Sequence, residues 1–135
     1  MHRQILTLTF LSFMVLVLAS CNSGGPDLVA ERRPGSQGRE GFCWRNDEGN
    51  LVVRVRNQAN GDAVKPSMVI VEFLPGGPRS GTTSALPGGS SGTTEFDIPS
   101  ECFNPDCDFT ITIDANNDVP ENREDNNTAD GRCIG

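Results

Sequence analysis

The alternation of side chains from Leu51 to Arg56 limits the fold more than any other feature of this chain. Leu51, Val53 and Val55 alternate with Val52, Arg54 and Arg56, the period-two pattern of a half-buried strand that ends at Asn57. The pattern returns from Met68 to Leu74, with Val69, Val71 and Phe73 on one face, and again where Phe109, Ile111 and Ile113 alternate with Thr110 and Thr112. Phe96 and Ile98 point one way, and Glu95 and Asp97 the other. Asp27–Ala30 predicts a first short strand, and 33–41 reads as loop. "PGGPRSG" at 75–81 and "PGGSSG" at 87–92 read as Gly-Pro turns. No helical period is sustained anywhere. Short strands separated by such turns, over about a hundred residues, predict an antiparallel β-sandwich. It is not a true immunoglobulin domain: there is no tyrosine for a tyrosine corner, and Trp44 adjoins a cysteine instead of lying midway between two.

The first 20 residues have a different logic. A basic Met-His-Arg start, an uncharged apolar run from Ile5 to Leu18 and the small residues Ala19 and Ser20 form the layout of a secretory signal peptide, too short to span a bilayer. No later segment is apolar enough for a second span, so the rest of the chain is expected to be exported and soluble. Leu18-Ala19-Ser20-Cys21 resembles a bacterial lipobox, which implies that Cys21 receives a diacylglyceryl thioether and becomes the mature N-terminus. Two or three acyl chains give stable anchoring, where one gives only marginal binding. Asn22 stands where many envelopes place an aspartate for inner-membrane retention, so the outer membrane is favoured. Residues 21–26 then form the lipidated cysteine and a short tether, and 27–135 the domain. Residues 22–26, fully extended, reach no more than roughly 18 Å, which keeps the domain, and any partner, near its membrane.

Cys43, Cys102, Cys107 and Cys133 remain. An even number in a small exported domain reads as two disulfides, with three pairings open. The turn-forming Phe103-Asn104-Pro105-Asp106 between Cys102 and Cys107 favours a local bond there. Cys43 and Cys133 would then clasp the start of the domain to its end. In the loop-entropy model the long closure is worth roughly 4–5 kcal/mol and the short one roughly 2. A four-cysteine zinc site would need two close pairs and reduced thiols, and the spacing offers neither.

Removing residues 1–20 takes away one arginine and no acid, leaving 10 basic against 18 acidic side chains. That balance argues against nucleic acid and against electrostatic adhesion to anionic lipid, and favours cationic partners or divalent ions. The mature chain has no histidine, no tyrosine and one lysine, Lys65, which removes most nucleophile and general-base schemes. A carboxylate pair, as in glycoside hydrolysis, is the remaining chemistry. Asp106 with Asp108, or Glu121 with Glu124, are better explained as turn and hairpin residues, so the chain is not expected to be an enzyme.

The C-terminal "ITIDANNDVPENREDNNT" resembles the last hairpin of CARDB domains, the cell-adhesion-related domain found in bacteria. Its motif falls on Asp114, Asn117, Val119, Glu121, Glu124, Asn126 and Asn127. "PDLVA" at 26–30 resembles the family's opening strand, and "LVVRVRNQANGDA" at 51–63 its V-x-V-x-N-x-G strand and turn. The resemblance spans residues 26–135. It implies an immunoglobulin-like sandwich of about seven short strands and an accessory or adhesive module, and it does not imply a catalytic activity. The four cysteines are not part of the general pattern and indicate a stapled subgroup.

Asp114, Asn116 and Asp118 occupy positions one, three and five of an EF-hand-like register. Val119 stands where that loop needs glycine, and Asp125 where it needs glutamate, so an EF-hand is rejected. A simpler calcium site on Asp114, Asn116, Asp118 and Glu121 is the alternative to a metal-free hairpin, because clustered carboxylates and amides supply hard oxygen ligands. The favoured reading needs no metal. Asp and Asn cap their own backbone, Val119 docks into the core, and Glu121 and Glu124 accept bonds from loop amides. Three functions stay open: a lipid-anchored adhesion or protein-binding module acting on an envelope or surface protein, a passive spacer, and a calcium-dependent glycan binder. The absence of an aromatic platform in the loops counts against the last.

Overall fold

The apolar halves of the alternating stretches meet between two antiparallel sheets. A computed structural model describes residues 24–135; the expected signal peptide and the expected lipidation site Cys21 lie outside the described residues. The strands are β1 (Leu28–Ala30), β2 (Leu51–Asn57), β3 (Ser67–Leu74), β4 (Gly77–Thr83), β5 (Ser91–Phe96), β6 (Cys107–Ile113) and β7 (Thr128–Cys133). One sheet has the order β1-β2-β5 and the other β4-β3-β6-β7. Leu51, Val53 and Val55 from β2, with Val69, Val71 and Phe73 from β3 and Phe109, Ile111 and Ile113 from β6, form one core cluster and are almost wholly buried. Fully burying each such side chain is worth about 1.5–3 kcal/mol, so these three strands supply most of the hydrophobic driving force.

Two segments differ from the sequence expectation. "PGGPRSG" is not merely a turn: the turn ends at Gly77, and Gly77–Thr83 pairs with β3 from Phe73↔Gly77 to Ser67↔Thr83. Pro78 is compatible with this because β4 is an edge strand, whose outward side needs no ladder donor. Residues 39–42 form a short 3-10 turn at the end of the expected loop. This turn packs on β7, where Arg39 Nη2 donates to Gly131 O at 3.5 Å. Gly131 stands opposite Phe109, and a Cβ built there would lie 2.1 Å from the Phe109 ring. The inward slot of β7 is filled by its neighbour's aromatic ring.

Disulfides join Cys43 to Cys133, 90 residues apart, and Cys102 to Cys107, five apart. Both lie at one end of the sandwich, with the starts of β2 and β6 and the end of β7. At the opposite end the residues from Gly24 join the domain, beside the last residue of β2, the 58–66 loop and the 114–127 hairpin. Asn57 organises that end. Its side chain is fully buried, with Oδ1 accepting from Asp27 N at 3.1 Å and Ala59 N at 3.3 Å. Its Nδ2 donates to Gly61 O at 2.7 Å and Leu86 O at 3.1 Å. One amide thus holds three loops.

Candidate functional site

The acidic hairpin begins where β6 stops. Asp114 and Asn117 adopt left-handed φ values of 49° and 52°, which short polar side chains tolerate best after glycine. Buried Asp114 accepts Asp118 N–H at Oδ1 (3.1 Å) and Val119 N–H at Oδ2 (3.0 Å), and its carbonyl accepts Asn117 N–H at 2.8 Å. The turn is therefore wound around one carboxylate, and it carries Val119 into the core with 2% of its surface exposed. Asn116 and Asp118 sit exposed at the tip.

The second half of the hairpin clasps the start of the domain. Glu121 Oε1 accepts Leu28 N–H, and Glu121 Oε2 accepts from the Asn127 amide, which also donates to Ile113 O at 3.3 Å. Asn122 bonds the backbone of Gly25 in both directions, N–H to Oδ1 at 2.8 Å and Nδ2 to O at 2.7 Å. Asn126 Nδ2 donates to Asp27 Oδ1 at 2.7 Å. Glu124 Oε1 accepts Glu121 N–H at 2.9 Å. Gly25 to Leu28 are held about a hundred residues away in sequence by side chains whose spacing says nothing about that partner.

Among the described residues, Asp114, Glu121 and Glu124 bring carboxylate oxygens within 4.8 Å of one another. Asp118, from the expected calcium set, is not in this group, and Glu124 is. Burial pushes the Glu121 carboxyl above its ordinary pKa. Bonds from Leu28 N–H and the Asn127 amide oppose that push, and repulsion from Glu124 and Asp114 adds to it. The donors suit an oxygen-preferring divalent ion, because each bonded carboxylate oxygen keeps a second lone pair. No histidine lies among residues 24–135, and the four cysteines there are all disulfide-bonded. Asp106 accepts Gly135 N–H, and Asp108 is paired with Arg39 and Arg132.

The CARDB family model matches residues 25–130. The chain belongs to the CARDB family. Two solved structures share the sandwich. One is a domain from Methanosarcina acetivorans assigned to a cell-surface protein, with 22% identity and a TM-score of 0.56 over 82% of this chain and 91% of that one. The other is the CARDB domain of a Pyrococcus furiosus protein in complex with di-metal ions, with 21% identity and a TM-score of 0.54 over 82% of this chain and 93% of that one. At these identities the likeness is one of fold. No curated protein matches the chain.

Proposed function

We propose that this CARDB protein is a non-catalytic envelope lipoprotein, a membrane-anchored module for adhesion or protein binding. The observation that carries the reading is where the chain joins the domain. Gly25 is fixed to Asn122 and Gly24 lies against Gly61 at one end of the sandwich, so only Asn22 and Ser23 separate Cys21 from the folded surface. An acylated Cys21 would hold that end within roughly 10 Å of the bilayer and present the disulfide end outward. The two disulfides and the CARDB family fit an exported surface protein. The test has two parts. The full chain should partition into a detergent phase, and Cys21→Ala should move it to the aqueous phase; equal partitioning removes the anchor. Cross-linking in intact cells should then yield a reproducible protein adduct that is lost with Cys21→Ala. No adduct from a folded, surface-exposed domain would favour the passive spacer.

A second reading is supported by the Asp114, Glu121 and Glu124 group. A divalent cation there, with calcium the first candidate, would offset the repulsion among the three carboxylates and stiffen the clasp on Gly25–Leu28. The protein should melt at a higher temperature in millimolar calcium than in chelator. Superimposable melts end this reading.

A further inference from the structure

The end of the sandwich away from Gly24 carries a cleft of about 320 Å3, lined by Arg33, Glu40, Cys43, Arg45, Arg132 and Ile134. Sequence separates these residues and the fold assembles them. Arg33 is positioned by its N–H bond to Gly41 O at 2.9 Å. Arg45 lies two residues after Cys43 and Arg132 directly before Cys133, and the disulfide between the cysteines joins the two walls. Arg45 also borders an adjoining cleft of about 340 Å3 formed with Phe103, Pro105 and Gly135, its guanidinium 5.4 Å from the centre of the Phe103 ring. Ile134 is 55% exposed.

The three guanidiniums are not equivalent. Arg132 is engaged, donating through Nε at 2.7 Å and Nη2 at 3.1 Å to the two oxygens of Asp108, which Arg39 also contacts at 3.0 Å. Arg33 and Arg45 have no carboxylate partner among the described residues, and Glu40 is the one acid on the cleft wall. On a chain of net charge −7, this leaves two guanidiniums lining one cleft without a carboxylate partner, beside an apolar rim. Guanidinium forks match carboxylates in a two-pronged geometry that no other side chain reproduces. The rim decides the class of ligand. Ile134 is aliphatic, and Phe103 already carries the Arg45 guanidinium over its ring, so the rim offers apolar contact suited to a peptide side chain and no free aromatic face for a sugar ring.

We propose that this cleft binds a carboxylate-bearing peptide segment of a partner protein, its acidic side chain between Arg33 and Arg45 and a neighbouring apolar side chain on Ile134 and Phe103. The proposal deepens the surface-module reading, from which it takes only its orientation: the cleft lies at the end facing away from the membrane. A second copy of the chain could offer its acidic hairpin, but in the anchored molecule that hairpin lies beside the membrane, so the partner is a different protein.

The experiment uses the full chain in detergent micelles and a fluorescein-labelled peptide of alternating glutamate and leucine, read by fluorescence anisotropy. Saturable binding should weaken about tenfold in R33Q/R45Q, the loss expected for two exposed charge pairs, and stay unchanged in R56Q, where the arginine lies on the exposed face of β2. A matching lysine-leucine peptide should not bind. R45Q alone should show an intermediate loss, which covers the case of a misfolded double variant. Equal affinity of wild type and R33Q/R45Q overturns the proposal. So does binding of polygalacturonate in place of the peptide, or self-association of the chain abolished by R33Q/R45Q. Cys21→Ala should leave peptide affinity intact, so loss of anchoring and loss of the cleft are read separately.

Discussion

Replacing Asn57 tests whether one buried amide holds the end of the sandwich that receives the N-terminal segment. Asn57→Asp keeps the shape and the acceptor for Asp27 N–H, but loses both donors and sets a carboxylate against Gly61 O and Leu86 O. Leu86 O still receives Ala63 N–H at 2.9 Å, so Gly61 O is the carbonyl left without a partner. One orphaned acceptor costs about 1–3 kcal/mol, and an unpaired buried charge adds to it. We expect a loss of about 3 kcal/mol at neutral pH, or roughly 10–15 °C in Tm for a domain of this size. Denaturant titration followed by Trp44, the one tryptophan, reports it from the far end of the molecule. The introduced carboxyl, buried and facing carbonyls, should hold its proton to a higher pH than usual. Once protonated it can donate one bond, so part of the loss should be recovered as pH falls toward 5. A loss below about 1 kcal/mol, or a deficit that does not shrink in acid, would refute the assignment of Asn57 as the organiser of these loops.

Replacing Cys43 and Cys133 with alanine should cost about 4–5 kcal/mol and replacing Cys102 and Cys107 about 2, from the lengths of the closed loops; denaturation midpoints in the reverse order would count against this. Gly131→Ala should destabilise by about 1–3 kcal/mol by overpacking, since the new methyl meets the Phe109 ring, and an unchanged melt would mean that the ring moves aside freely. Two carboxylates should tilt the pH profile of stability in opposite directions. The bonds from Arg132 hold Asp108 below its ordinary pKa, so its contribution is present above that value and is lost as pH falls through the folded one. Burial raises Glu121, so its contribution is present in acid and lost as pH rises through the folded value. Stability measured from pH 3 to 7 should lose the first slope in D108N and the second in E121Q, and unchanged profiles would refute both.

The two-sheet fold is legible because β2, β3 and β6 bury every second residue, and period two has one structural meaning. β4 is harder to read: Gly77, Pro78 and Gly81 spell a turn, and only its place at the edge makes the segment a strand. β7 hides for another reason. Its inward positions are Ala129, Gly131 and Cys133, and the middle one is apolar in function only because Phe109 leans over it. In the hairpin, residue types reveal the winding around Asp114, since Asx turns are local. They do not reveal that Glu121, Asn122 and Asn126 hold residues 25–28, because a long-range partner leaves no mark on spacing. The arginine cleft is less visible still. Arg33, Arg45 and Arg132 come to line one cleft through a disulfide and a packed 3-10 turn, and the trace in the sequence is that two of them lie within two residues of the bonded cysteines.

The placement of the Cys43–Cys133 bond also decides how the molecule responds to tension. A pull between Gly24 and Gly135 passes through the disulfide, so the 90-residue stretch it closes carries no load and cannot be drawn out. Only β1, the segment up to Cys43 and the last two residues can yield, roughly 20 residues with a fully extended length of about 75 Å, against nearly 400 Å for the unbridged chain. Under tension such a domain would give a short, fixed length and then stop, keeping the disulfide end folded while the end that holds Gly24 takes up the strain.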